Sequence, residues 1–231
     1  WRMPTEGLDG KLGRVTGAAG GLGTQLALAL ARRRARLALW DIAPLDNTIQ
    51  ALAYLAEHAV SHAAAVDVAD DNAVQRAAET LTRRHGTVYL LINAAAVVDG
   101  CSLLSADGTS LRRAFEVNAL SHFWTVRAFL PAMLTDGAGC VVTVSSLMAG
   151  LPAARLTDYC AAKAAVTQLH ECLRWELRAR RAPHGVRCLL VQTYLLDTPL
   201  FAGGQPADGL LLGWLFPTLK AEVVAERVVD A

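Results

Sequence analysis

The chain has no CxxC pair and no cluster of histidines, so nothing in it matches the spacing of a structural zinc site. Five cysteines are an odd number, which excludes a fully paired disulfide framework. Cys101, Cys140, Cys160, Cys172 and Cys188 therefore suit a reducing compartment and small-hydrophobe packing, with reactivity the second reading for Cys160 because it adjoins Tyr159. Charge is sparse as well. At 19% charged residues and a net charge of +1, there is no electrostatic case for a nucleic acid partner. The two arginine runs, Arg32 to Arg34 and Arg178 to Arg181, read as cations at helix C-termini, where they complement the helix dipole. No apolar run reaches the roughly 18 residues of a membrane-crossing helix, and WRMPTEGLDG resembles neither a signal peptide nor an anchor, so a soluble module is expected. Aliphatic residues dominate what remains. A hydrophobic fraction of 53% in 231 residues suits one globular domain over 1–231, with a sizeable core and buried strands.

Apolar strand-like runs alternate with helix-like ones. Strands are expected at Leu12–Thr16, Ala35–Trp40, Val60–Val66, Val88–Asn93, Gly139–Ser146 and Val186–Gln192. Helices are expected after the first glycine loop, over Asn47–His58, from AVQRAAETLTRR, over Leu111–Leu134 and from Tyr159 onward. Such alternation implies right-handed crossovers and an α/β doubly wound parallel sheet with helices on both faces. The first strand, LGRVT, is the weakest of the set. Gly13 loosens a strand, and Arg14 is expensive in a buried one.

Between the first strand and the first helix stands TGAAGGLG. Glycines there let backbone N–H groups approach a diphosphate at the positive end of a helix, which nominates Gly17, Gly21, Leu22 and Gly23 for a dinucleotide. Asp41 closes the second strand, eighteen residues after Gly23. A carboxylate there accepts from adenosine ribose hydroxyls and repels a 2′-phosphate, favouring NAD over NADP; capping the next turn is its other reading. Tyr159 and Lys163 are four residues apart in a helical run, hence on one face about a turn apart. An ammonium beside a phenol favours the phenolate, so the Tyr159 hydroxyl is expected below its usual range and able to act as general acid/base. Ser146 ends the fifth strand thirteen residues earlier, where its hydroxyl can meet the phenol.

The glycine loop, Ser146 and the Tyr159–Lys163 pair, in that order, resemble the short-chain dehydrogenase/reductase superfamily over essentially the whole chain, and TGxxxGxG is more specific than a general GxGxxG. The resemblance implies several further roles. Asp67 and Val68 would flank the adenine, where residues 67–71 alone read as a helix N-cap cluster. Asn93 would begin the ribose-side motif, written NAAA here with Ala94 and Ala96 in place of Asn and Gly. Asn118, a poor interior helix residue, would bend its helix and hold a water linked to Lys163, an exposed or capping Asn being the alternative. Leu196 and Thr198 would meet the nicotinamide carboxamide, although Thr193 and Tyr194 replace the usual Pro-Gly. The family also implies a seventh strand that nothing after Lys220 supplies, and homo-oligomers through Leu111–Leu134 and Tyr159–Arg181.

NAAAVVDGCSLL, TDYCAAKAA, LLDTPLF and FPTLKAEVVAERVVDA are most similar to the membrane-associated retinol/retinal dehydrogenase and 17β-hydroxysteroid dehydrogenase-like group. That similarity implies an NAD(H)-dependent oxidoreductase acting on a lipophilic alcohol or its carbonyl, retinol/retinal first and a steroid or long-chain alcohol next. It also implies a place in the cytoplasm or on the cytosolic face of the endoplasmic reticulum or lipid droplets. Residues 199–219, with LLLGWLFP, read equally as a lid over the substrate, a peripheral membrane contact, or ordinary packing. A weakly catalytic nucleotide-binding scaffold on the same fold is the reading from another class.

Overall fold

All strands of the sheet run in one direction. A computed structural model describes residues 7–55, 59–180, 185–201 and 218–231. In chain order the elements are β1 (Leu12–Thr16), α1 (Gly21–Arg32), β2 (Arg36–Asp41), α2 (Asp46–Ala53), β3 (Val60–Ala65), α3 (Asp71–His85) and β4 (Leu90–Asn93). There follow α4 (Gly108–Phe115), a π-helical turn (Glu116–Leu120), α5 (Ser121–Asp136), β5 (Ala138–Ser146), α6 (Thr157–Ala179), β6 (Gly185–Thr193) and α7 (Ala221–Asp230). The strand order is β3-β2-β1-β4-β5-β6, every pairing parallel. Chain direction across the sheet reverses between β1 and β4, which opens a crevice at the strand carboxyl ends.

Side chains alternate across the strands and bury both faces. Val15, Leu37, Leu39, Ile92 and Val142 meet α1, α2 and α7, while Leu12, Trp40, Leu91 and Val141 meet α3, α5 and α6. Arg14 alternates onto the second face and is fully buried there, its guanidinium carbon 3.7 Å from the Trp40 ring centroid and 5.0 Å from that of Phe129. None of its side-chain nitrogens has a hydrogen-bond partner. Stacking on two rings is what makes this strand residue tolerable.

Three expectations change in the fold. Arg32 and Arg33 do more than face the end of α1: Arg32 Nη1 donates to Glu226 at 2.6 Å, and Arg33 donates to Glu226 at 2.9 Å and pairs with Asp230, tying α1 to α7. The helix expected over Asn47–His58 ends at Ala53, and residues 56–58 lie outside the described ones. The single helix expected over Leu111–Leu134 is longer and interrupted, running from Gly108 to Asp136 with the π-turn in its middle. Of the segment 199–219, residues 202–217 lie outside the described ones, LLLGWLFP with them.

Candidate active site

The glycine loop closes too tightly on its own backbone to carry side chains. Gly17 has φ +67°, and a Cβ there would lie 2.7 Å from Ala95 Cα; one at Gly23 would lie 1.9 Å from the Gly17 carbonyl oxygen. Neither position admits a side chain. The first turn of α1 has no capping side chain and no acidic residue, so its N–H groups are left for an anion. Asp41 braces this loop, Oδ2 accepting from Ala19 N and Oδ1 from Ala43 N, both at 2.9 Å. Both earlier readings of Asp41 are thus compatible: it stabilises a turn and lines the crevice.

Where Ala94 stands in place of the family's Asn, a threonine of β1 ties the strand ends together. Thr16 Oγ1 accepts from Ala94 N at 3.0 Å and Ala95 N at 3.2 Å, joining β1 to the end of β4. Asn93 itself turns away. Its side chain is buried on the α5 side without a partner for either polar atom, and it does not line the cleft.

The cleft has a volume of about 400 Å³ and is walled by the glycine loop, Asp41, Asp67, Val68, Tyr159, Lys163, Leu196 and Thr198. Eleven residues nominated from sequence therefore line one space, with Gly17, Gly21, Leu22 and Gly23 among them. Asn118 and Ser146 stand just behind it. Asn118 sits in the π-turn, fully buried, and clamps the backbone of Val97: Oδ1 accepts from Val97 N and Nδ2 donates to Val97 O, both at 2.9 Å. The wide turn answers the side chain's poor fit to a regular helix.

Tyr159 and Lys163 lie on the inner face of α6, exposed by 4% and 1%. A polar seam docks this helix on β5: Ser145 Oγ donates to Lys163 O at 3.1 Å, and His170 Nδ1 meets Thr143 Oγ1 at 2.9 Å. Ser146 Oγ accepts from Met148 N at 3.1 Å and donates to Thr193 O at 3.3 Å, and it also stands within reach of the Tyr159 phenol. The expected lowering of the Tyr159 hydroxyl is reversed. Burial pushes it up to about 12, with the Ser146 hydroxyl offsetting only part of that. The ammonium does not counter this burial, because Lys163 Nζ donates to Val144 O at 2.9 Å and lies 5.8 Å from the Tyr159 ring centroid. Burial also brings Lys163 down to about 8. Phe201 covers the phenol edge-on at 5.6 Å, and Thr198 packs against Gly21.

A nucleotide-sized crevice at the reversal point of a parallel sheet, with Tyr, Lys and Ser converging at one end, is matched by sequence comparison. The pattern of the short chain dehydrogenase family covers residues 12–208. The chain belongs to that family. Among relatives of this short-chain dehydrogenase, retinol dehydrogenase 10-B of Xenopus laevis is 36% identical over 227 residues, covering 87% of this chain. The chain spans 66% of that relative's length, slightly under two thirds. A short chain dehydrogenase/reductase of Burkholderia phymatum, solved in complex with NAD, superposes with a TM-score of 0.82 at 28% identity, over 94% of this chain and 84% of that one. The alcohol dehydrogenase of Thermococcus sibiricus, complexed with 5-hydroxy-NADP, shares the fold with a TM-score of 0.82 at 24% identity, covering 96% and 89%.

Among the lining residues that were not nominated from sequence are Trp40, Arg113 and Phe201. Phe201 stands in the quoted LLDTPLF, so its position was visible and its role was not. Arg113, in α4, stands five residues before Asn118 in the π-turn, a spacing that signals nothing until the helix is placed over the β3 end.

Proposed function

We propose that this short-chain dehydrogenase interconverts a lipophilic alcohol and its carbonyl with NAD(H), retinol/retinal being the leading substrate pair. The convergence of Tyr159, Ser146 and Lys163 at the apolar end of the cleft carries this reading. The glycine loop and the first turn of α1 would hold the diphosphate, Asp41 the adenosine ribose, Asp67 and Val68 the adenine, and Leu196 and Thr198 the carboxamide. When bound, the nicotinamide supplies or accepts a hydride. Preference for NAD over NADP rests on Asp41, since a 2′-phosphate would face its carboxylate.

The chain's own groups handle the proton. Held near 12, Tyr159 keeps its proton at neutral pH and can give it to a carbonyl oxygen as the alcohol forms. In the oxidising direction Tyr159 acts as the phenolate and takes the proton of the substrate hydroxyl, and the neighbouring Lys163 ammonium would favour that ionised form. Ser146 donates to the reacting oxygen. Asn118 fixes the 97 loop beside them and supports the relay.

The substrate reading draws on the apolar wall of Leu200, Phe201 and Val117 beside Tyr159 and on the names of the relatives. Pairing of two copies would use the groove between α5 and α6, about 1040 Å³ and lined by Phe123, Leu130, Leu134 and Leu169, with Trp175 65% exposed nearby. Among the described residues no helix is long and apolar enough to cross a membrane. Contact with the cytosolic face of the endoplasmic reticulum or lipid droplets would use groups such as the exposed Leu103 and Leu104.

The test is Tyr159→Phe. NADH titration should be unchanged while turnover of all-trans-retinol, a 17β-hydroxysteroid and a long-chain alcohol disappears. Full activity in the variant would refute the assignment. NADH binding by the native chain without turnover of any of the three would favour the nucleotide-binding scaffold.

A further inference from the structure

Two carboxylates, Asp41 and Asp67, line the end of the cleft assigned to adenosine, where a diphosphate must also approach. Like charges gathered in a partly desolvated cleft repel one another. Among the described lining residues the cations are Lys163, at the other end, and Arg113. Arg113 projects from α4, and its Nη1 bridges both oxygens of Asp67, at 2.9 Å to Oδ2 and 3.1 Å to Oδ1. Asp67 Oδ1 also accepts from Ala69 N at 3.0 Å. Burial on its own would raise this carboxyl, but the Arg113 hydrogen bonds, the Ala69 N–H and the Arg113 charge together hold it below its usual range. Asp67 thus stays ionised with its orientation fixed from both sides. Of the roughly four acceptor sites on a carboxylate, the three bonds leave one on Oδ2, the oxygen bonded by Arg113 alone.

The pair is a poor candidate for a stabilising device. Its side chains are 34% and 41% exposed, and ion pairs with that much solvent contribute little to folding. Placement favours a ligand role instead, because both residues line the cleft and come from elements far apart in sequence, the loop after β3 and α4.

We infer that Arg113 is a positioning residue for the cofactor: it holds Asp67 as an oriented acceptor for the adenine amino group and offsets one of the two negative charges facing the diphosphate. This rests on the reading of the cleft as an NAD(H) site. It adds a residue that does not touch the reacting atoms and sets nucleotide affinity through another side chain.

NADH and 5′-AMP titrations of the native chain, Arg113→Ala, Arg113→Lys and Asp67→Asn, with melting curves alongside, test it. Arg113→Ala should weaken both ligands roughly tenfold, the scale of one lost charge-assisted contact. KM for NADH should rise more than kcat falls, with little change in melting temperature. Arg113→Lys should recover part of the affinity, since a point charge replaces a planar fork. Added to Asp67→Asn, Arg113→Ala should cost little more, because the carboxylate it holds is already gone. Unchanged NADH and AMP affinity in Arg113→Ala would overturn the inference, as would a further full tenfold loss in the double variant, which would mean Arg113 contacts the nucleotide itself. Failure of the native chain to bind NADH would instead refute the NAD(H) reading of the cleft.

Discussion

Replacing Arg14 with methionine should make the protein more stable. The guanidinium is fully buried in β1, its three nitrogens have no hydrogen-bond partner, and burial alone drives its pKa well below the usual arginine value, with no carboxylate acting in the opposite direction. Keeping an unpaired ion in such a place costs several kcal/mol even after relaxation. Its stacking on Trp40 at 3.7 Å and Phe129 at 5.0 Å returns about 2 kcal/mol. Methionine has a similar reach, keeps a polarisable atom against both rings, and contributes about 2 kcal/mol by burial with no ion to desolvate. A net gain of about 2 to 3 kcal/mol follows, which at this chain length raises Tm by roughly 5–10 °C. Differential scanning calorimetry and urea midpoints measure it. Arg14→Lys is the control: it keeps the charge but loses the flat group, so it should melt below the native chain. The reasoning fails if Arg14→Met melts several degrees lower while Arg14→Lys does not.

One further outcome follows from the buried site and one from the α5–α6 groove. Lys163 is brought from 10.5 to about 8 by burial, so between those values the unfolded chain holds a proton that the folded chain has released. Stability should therefore rise with pH from about 8 toward 10, by up to roughly 3 kcal/mol, and Lys163→Met should flatten that rise in urea titrations at stepped pH. Pairing through the α5–α6 groove should appear as a dimer in light scattering. Leu169→Glu, which puts a charge into that groove, should yield monomer, and a native chain that is monomeric throughout would oppose the assignment.

The sheet and its order of elements were legible because period and punctuation agree: aliphatic strand runs, a glycine turn, then amphipathic helices. The Tyr159–Lys163 face was equally legible, since four residues make about one helical turn. What could not be read was anything decided by distant partners. Lys163 gives its ammonium to the Val144 carbonyl, a bond that exists only once α6 lies on β5, and so the expected lowering of the phenol is absent and burial raises it instead. Asn93 ends a strand at the rim, yet pleating directs its side chain under α5 and not into the cleft. Arg32 and Arg33 find acids 193 to 197 positions away. The expense of Arg14 was readable, whereas the two rings that shelter it come from β2 and α5. Thr16 holds the backbone of Ala94 and Ala95 at the end of β4, which no motif announces.

The π-turn at Glu116–Leu120 sets a phase as well as a bend. In a regular helix three successive residues spread over about 200°, yet Val117, Asn118 and Ala119 are all buried. The inserted residue lets α4 present Arg113 to the β3 end while α5 presents His122, Val126 and Phe129 to the protein interior. Shortening the turn by one residue would rotate one half against the other by about 100°. Either the Arg113–Asp67 contact or the packing of α5 would then be lost, so this stretch should tolerate exchange of side chains far better than any change in its length.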